Sequence, residues 1–242
     1  MKLAIYDFDG TLFPDETVPF IVKQYPKLGH SRLRQAKIFT QMMVLFTKYK
    51  MKVDKSLTKE VFRGKATHIV LSILDGMSEN EMLKFFEDLS ERVFEALDQE
   101  VVETLKSHQK DGFHVLLLSG GFKPLMKPLA DKLGIHEVIC TDVKGISLGK
   151  SQNNIRYVPE KLITGDNKVE ALIKRFGQDP VEWTASYAYA DSVYDQGVLK
   201  KVGNPIAVNP DRGLLEISQR ENWKVMMTKS GEALYNRTIS SK

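Results

Sequence analysis

Cysteine is almost absent from this chain: Cys140 is the single one in 242 residues. One thiol excludes an internal disulfide and a cysteine-based metal cluster. It sits in the run HEVIC, whose apolar neighbours predict a buried core thiol rather than a reactive one. Long apolar runs are missing too, and none approaches the ~20 residues that a membrane span needs. The apolar stretch that opens MKLAIYDFDGT is too short for a signal-peptide core and runs at once into acidic residues, so a cytoplasmic location is expected. Internal repeats and low-complexity segments are lacking. No pair among the five histidines has metal-ligand spacing. His114, in a strand-like run, and His68, among apolar neighbours, are therefore read as structural.

Acidic residues are scarce in one stretch. Between Thr17 and Lys65 twelve lysines and arginines face only Asp54 and Glu60, a net +10 against +4 for the whole chain. A solvated helical surface is the plain reading. The sharper one is a positive field that attracts anionic substrates, a nucleic acid or a membrane surface. No aromatic-interleaved RNA motif or DNA-reading module accompanies it, which leaves no specific nucleic-acid motif.

The remainder has the composition of a folded globular protein, 42% hydrophobic and 27% charged. The length suits one large domain, or one carrying a second, smaller one. Lys2 to Tyr6 predicts a short strand. From about Asp15 to Leu97 apolar residues recur at helical spacing, as in RQAKIFTQMMVLFTKY and SENEMLKFFEDLSERVFEAL. Ser78 and Glu81 form a capping-box start for the second of these. Phe39, Met42, Met43 and Phe46 are expected in the core of this helical region or in the roof of a pocket.

Beyond Leu97, helices and strands alternate. VVETLKSHQKDG, KPLMKPLADKLG, KVEALIKRFG and DQGVLKKVG predict helices; FHVLLLSGG, HEVIC, WTASYAYAD, NPIAVN and WKVMM predict strands. A hairpin-like stretch has Gly145 and Gly149 flanking ISL, and the tail NRTISSK is expected to fray. Strands as apolar as VLLLS indicate a parallel sheet covered on both faces. The chain thus reads as an α/β domain interrupted after its first strand by a helical insertion.

Polar residues gather where those strands end, the place where such sheets bind ligands. Asp7 and Asp9 flank Phe8 after the first strand, with Gly10 and Thr11 next. Residues two apart in an extended chain point to the same side, and two carboxylates there repel unless a cation neutralises them. Mg²⁺ takes a few carboxylate oxygens with water and substrate phosphate. A polar loop with an N-capping aspartate is the alternative. Ser119, Gly120 and Gly121 offer a hydroxyl and backbone N–H groups ahead of a helix, a phosphate cradle or an ordinary turn. Lys168 stands at a helix start, where the dipole disfavours a cation. It is a solvated lysine or a counter-charge to phosphate. Asp191 follows an apolar strand, placed to complete a metal site with Asp7. Asp195, four residues on, is an N-cap or orients the lysine or a metal-bound water.

In the order DFDGT, a serine after the second strand, a lysine and the acidic pair of AYADSVYD, these elements resemble the haloacid dehalogenase superfamily over nearly the whole chain. The resemblance implies a Rossmann-like α/β core at residues 1–14 and 98–242, with a parallel sheet, helices on both faces and an inserted all-helical cap at 15–97. DFDGTLFPDET is similar to the subgroup (subfamily IB) that contains phosphoserine phosphatases, in which an acidic residue like Glu16 sits just inside the cap and faces the substrate. The implied activity is Mg²⁺-dependent hydrolysis of a small phosphorylated metabolite by a monomer or homodimer. Asp7 would be the nucleophile, and Asp9 the acid and then the base. Asp7, the carbonyl of Asp9 and Asp191 would hold Mg²⁺. Ser119, the amide of Gly120, Lys168 and the hydroxyl of Thr11 would hold phosphate oxygens, with Asp195 in support.

Two positions depart from that pattern. An ungapped alignment puts Val70 where phosphoserine phosphatases carry a substrate-gripping arginine; Arg63 lies seven residues earlier, in a different helix register. Tyr194 stands where the family's last motif has asparagine. The alternatives are phosphoserine phosphatase proper, phosphoryl transfer from the same intermediate to an acceptor other than water, and a binding module that docks a basic cap on an anionic polymer. Intact Asp7, Asp9, Lys168 and Asp191 count against the last, and Asp9 counts against dehalogenation.

Overall fold

The computed structural model describes residues 1–148 and 155–233, without the side chains of residues 59, 60 and 166. Gly149 and the tail NRTISSK lie outside the described residues. Along the chain the strands are β1 (Leu3–Tyr6), β2 (His114–Phe122), β3 (Glu137–Thr141), β4 (Val143–Ser147), β5 (Ile155–Pro159), β6 (Tyr187–Ala190), β7 (Asn204–Val208) and β8 (Lys224–Met226). The helices are α1 (Thr17–Gln24), α2 (Arg32–Lys50), α3 (Lys59–Leu71), α4 (Glu79–Glu95), α5 (Gln99–Lys110), α6 (Lys123–Leu133), α7 (Asp166–Phe176), α8 (Gln196–Leu199) and α9 (Arg212–Arg220).

Six of the strands form one parallel sheet in the order β3-β2-β1-β6-β7-β8. Alternation along β1 sends its side chains to two separate cores. Leu3 and Ile5 join Leu116, Leu172, Phe176 and Leu214 on the face covered by α7, α8 and α9. Ala4 and Tyr6 join Leu117, Leu89, Leu105 and Leu129 on the face covered by α4, α5 and α6. Each fully buried aliphatic side chain contributes about 1.5–3 kcal/mol of transfer free energy, so a central strand apolar on both faces holds its register firmly. This is the Rossmann-like sheet expected from the alternating pattern.

Between β1 and α5 the chain is helical, as its periodicity predicts. Caps explain where these helices begin. The Ser31 hydroxyl accepts from the Arg34 N–H and the Thr58 hydroxyl from the Val61 N–H, both at 3.3 Å. The capping box at Ser78 forms, with the Ser78 N–H donating to Glu81 Oε2 at 2.7 Å and the Glu81 N–H to Ser78 Oγ at 3.3 Å. Arg34 ties α2 to the chain after α3 by donating to the carbonyls of Ile73 and Asp75. The antiparallel hairpin β4–β5 joins the same group. The Gly76 N–H donates to the Ile155 carbonyl at 2.8 Å, and the Tyr157 hydroxyl donates to the Met77 carbonyl at 3.0 Å. α4 instead turns Leu89 and Val93 toward the sheet side.

Three local expectations are corrected. Met42 packs against the core, but Phe39, Met43 and Phe46 are exposed, because Ile38 and Leu45 already fill the inward side of α2. The strand expected in WTASYAYAD starts only at Tyr187; Trp183–Ala185 is a single 3-10 turn. The helix expected in DQGVLKKVG closes after Leu199, because Gly203 must lie against residue 184 so that its N–H reaches the Trp183 carbonyl at 2.8 Å. A Cβ on Gly203 would overlap the Thr184 carbonyl. The hairpin-like stretch around ISL is the antiparallel pair β4–β5, with Gly145 opposite Tyr157 inside the ladder.

Leu116→Ala, in the middle of β2, is expected to lower unfolding free energy by about 2–5 kcal/mol, and Ser78→Ala by about 1 kcal/mol. Urea denaturation followed by circular dichroism measures both; a smaller loss at Leu116 than at Ser78 would contradict this account of the core.

Candidate active site

The carboxyl ends of β1 and β6 lie side by side at the middle of the sheet, where the strand order departs in opposite directions. Asp7 leaves β1 with its N–H donating to the Tyr189 carbonyl at 2.9 Å, and Asp191 leaves β6. Beneath them the rings of Tyr6 and Tyr189 stack with centroids 4.4 Å apart and planes 4° apart. The Tyr6 hydroxyl meets Thr104 at 3.0 Å, and His108 Nε2 meets the Tyr189 hydroxyl at 2.9 Å. This platform fixes one strand end against the other. His108 is thus a structural histidine, as His68 and His114 were expected to be; the Cys140 thiol is half-buried, with burial pushing its pKa up to about 12.

Lys168, in the first turn of α7, is buried and reaches both acidic segments. Its Nζ lies 2.7 Å from Asp7 Oδ1 and 2.6 Å from Asp195 Oδ1. Carboxylate oxygens of Asp7, Asp191 and Asp195 lie within 4.8 Å of one another. Gly10 makes that approach possible: its φ is +73°, and a Cβ there would overlap the Asp191 carboxylate. The Asp9 carboxylate turns toward the start of α1, accepting from the Thr17 N–H at 3.1 Å and from the Thr17 hydroxyl. Thr17 belongs to none of the sequence motifs, and only its position at the first turn of a helix hints at the contact.

The other candidate residues surround this centre. Ser119 is buried, and its hydroxyl accepts from the Gly121 N–H at 2.9 Å, which leaves its own proton free to donate. β2 runs on through Gly120 and Gly121 with a register shift before Phe122, so α6 begins later than a tight Ser-Gly-Gly turn would require. Thr11 is fully buried, and its hydroxyl has no hydrogen-bond partner among the described residues. Glu16 is exposed at the N-cap of α1, close enough that its charge helps raise the pKa values of Asp9 and Asp191. Val70 is a core residue. Arg63, by contrast, lays its guanidinium 4.6 Å from the ring centre of Tyr194 and so joins α3 to the Asp191–Asp195 loop.

Burial dominates the electrostatics. It pushes the Asp7 carboxyl up to about 7, with Lys168 opposing and Asp195 adding. Burial and then Asp7 raise Asp191 to about 8. Burial raises Asp9 to about 8 against the bonds from Thr17. Burial also works against the Lys168 ammonium, yet Asp7 and Asp195 outweigh it and keep its pKa above the ordinary lysine range. Three crowded carboxylates against one ammonium leave unbalanced negative charge in a set of oxygen donors. That donor set fits a hard divalent cation such as Mg²⁺.

A family model for haloacid dehalogenase-like hydrolases matches residues 4–200. The chain belongs to that family. A histidinol-phosphatase from Neisseria meningitidis serogroup C (strain 8013) is 24% identical over 160 residues, 66% of this chain and 72% of that one. Among solved structures, a protein of unknown function from Bordetella pertussis Tohama I superposes with a TM-score of 0.72 at 23% identity, covering 93% of this chain and 97% of that one. A phosphoserine phosphatase carrying an analogue of its phospho-aspartyl intermediate superposes with a TM-score of 0.60 at 19% identity, covering 94% and 93%. The chain spans about half the length of several other curated relatives it matches. No helix among the described residues is long and apolar enough to cross a membrane.

Carboxyls that titrate near 4 in an unfolded chain and near 7 to 8 here make the folded state the stronger proton binder between those values. Their stabilising contribution is therefore present at low pH and lost as pH rises through about 7–8. Without divalent cation, Tm is expected to fall between about pH 6 and pH 8.5, and added Mg²⁺ to raise it more at the upper end. Differential scanning calorimetry reads both, and a metal-free Tm that climbs across the interval contradicts the assignment. Gly10→Ala is expected to remove the Mg²⁺-induced rise.

Proposed function

We propose that the chain is a Mg²⁺-dependent phosphomonoesterase that passes through an aspartyl phosphate on Asp7. The observation that carries the reading is the largely shielded Asp7 carboxylate, 2.7 Å from the Lys168 ammonium and clustered with Asp191 and Asp195 at the switch point of the sheet. Histidinol-phosphatase and phosphoserine phosphatase among the similar proteins support it.

In the first half-reaction an Asp7 oxygen forms a bond to phosphorus as the bond to the leaving oxygen breaks, and Asp9 passes its proton to that oxygen. The raised pKa of Asp9, about 8, suits a carboxyl that starts protonated at neutral pH. In the second, Asp9 takes a proton from water while the water oxygen bonds to phosphorus and Asp7 is released. Lys168, oriented by Asp195, opposes the upward push of burial on the Asp7 pKa and presents positive charge to the phosphate. The Ser119 hydroxyl and the Gly120 amide donate to phosphate oxygens, with Thr11 as a further hydroxyl. Asp7, the Asp9 carbonyl and Asp191 would hold Mg²⁺. When bound, the ion offsets the repulsion between anionic nucleophile and anionic phosphate.

Residues 15–97 act in this reading as a cap over the site, with Glu16 at its edge and Arg63 facing the Asp191–Asp195 loop. The substrate is a small organic phosphate. Phosphoserine and acceptors other than water are the variants a substrate panel separates.

Hydrolysis of p-nitrophenyl phosphate with and without Mg²⁺ tests the class. Asp7→Asn is expected to abolish turnover, by 10³-fold or more if the covalent route is lost; wild-type rates from that variant would falsify the nucleophile. Arg63→Ala is expected to raise KM for carboxylate-bearing phosphates several-fold more than for p-nitrophenyl phosphate. An equal effect on both would remove Arg63 from substrate selection.

A further inference from the structure

We propose that the outer face of α2 docks on the surface of an anionic phospholipid bilayer. α2 buries Ile38 and Leu45 inward, yet its other side carries large apolar side chains among its polar ones. Leu33 is 85% exposed, Phe39 58% and Met51 70%, with Met43, Val44 and Phe46 also open. At ~100° per residue these six, Met51 being the C-cap, fall within roughly 160° of the helix circumference, interleaved with the exposed Arg32, Thr40, Thr47 and Lys50. Large exposed apolar patches rimmed by charge mark interaction surfaces.

Cations accompany it. α2 contains no Asp or Glu; Lys37 and Lys48 border one edge of the arc, and Arg32 and Lys50 project from within it, between Phe39 and Met43. The Lys50 ammonium sits 5.7 Å from the centre of the Phe46 ring, charge beside aromatic. Beside the Lys37 edge a cleft of about 630 Å³ opens between α2, α3 and β5; Arg34, Lys37, His68 and Arg156 line it, with Asp75 the acid among its lining residues. The nearby acid Asp54 is occupied by the N–H and hydroxyl of Ser56. Large apolar side chains interleaved with and bordered by cations match a bilayer with acidic headgroups, where the apolar groups enter the acyl boundary and the lysines and Arg32 pair with phosphates. A second copy of this chain is disfavoured, since it would bring two surfaces of the same strong positive charge together. A nucleic acid would meet the cations but leave the arc uncovered.

This inference does not rest on the proposed phosphatase activity. The test is co-sedimentation of the full chain with vesicles of phosphatidylcholine alone and of phosphatidylcholine mixed with phosphatidylglycerol. Binding is expected to the mixed vesicles and not the neutral ones, and to weaken as salt rises. Lys48→Gln and Lys50→Gln are each expected to weaken it about fivefold. The double variant Met43→Asp, Val44→Asp is expected to abolish it while leaving the circular dichroism spectrum and p-nitrophenyl phosphate turnover unchanged. Absence of binding to the mixed vesicles overturns the proposal, as does equal binding to both kinds. Sedimentation velocity that shows a dimer abolished by the double variant also overturns it, and assigns the face to a second copy.

Discussion

A buried ammonium shared between two carboxylates holds this site together. Lys168 meets Asp7 and Asp195 at 2.7 and 2.6 Å, and all three side chains are largely shielded from water. Such a triad forms only if the end of β1, the first turn of α7 and the turn after β6 arrive within hydrogen-bond reach of one point. Taking away one member of a buried pair leaves an uncompensated charge, at a cost on the order of 3–5 kcal/mol. The sheet order supplies the convergence: β1 sits between β2 and β6, so its end is flanked by both motif-bearing strands.

Precision around that triad comes from contacts outside it. The Tyr6–Tyr189 stack, closed by Thr104 and His108, clamps β1 to β6 just below Asp7 and Asp191. Gly10 supplies a left-handed turn with no side chain, and the space is taken by the Asp191 carboxylate. Burial first, and like-charge crowding after it, raises the pKa values of the acids, so the folded state carries a desolvation and repulsion cost that an apolar cluster would not. Functional sites commonly sacrifice stability in this way.

The helical segment after β1 is tied to the sheet at several levels. Asp9 binds Thr17 at the root of the insertion, and Arg63 lies over Tyr194 across the opening. The hairpin β4–β5, far along the chain, hydrogen-bonds back to residues 76 and 77. Motion of the insertion would therefore carry the hairpin with it and break the Arg63–Tyr194 contact.

By itself the sequence determined the identity of the elements and the positions of the acids. β1, β2, β6 and β7 are short, nearly continuous apolar runs that end in polar residues, and such runs are visible in a few letters. The box at Ser78 is legible because both partners lie within one helical turn. Whatever depends on segments far apart in the chain was settled only by tertiary structure. Helical periodicity shows that α2 has apolar residues but not which side meets a neighbour, so Phe39, Met43 and Phe46 looked like core and are open to solvent. α8 ends early because Gly203 must lie against Thr184, a collision that local propensity does not register. Asp9 finds Thr17, Gly10 finds Asp191 and Arg63 finds Tyr194 for the same reason: such pairings follow from how faces pack, and packing is a property of the whole chain.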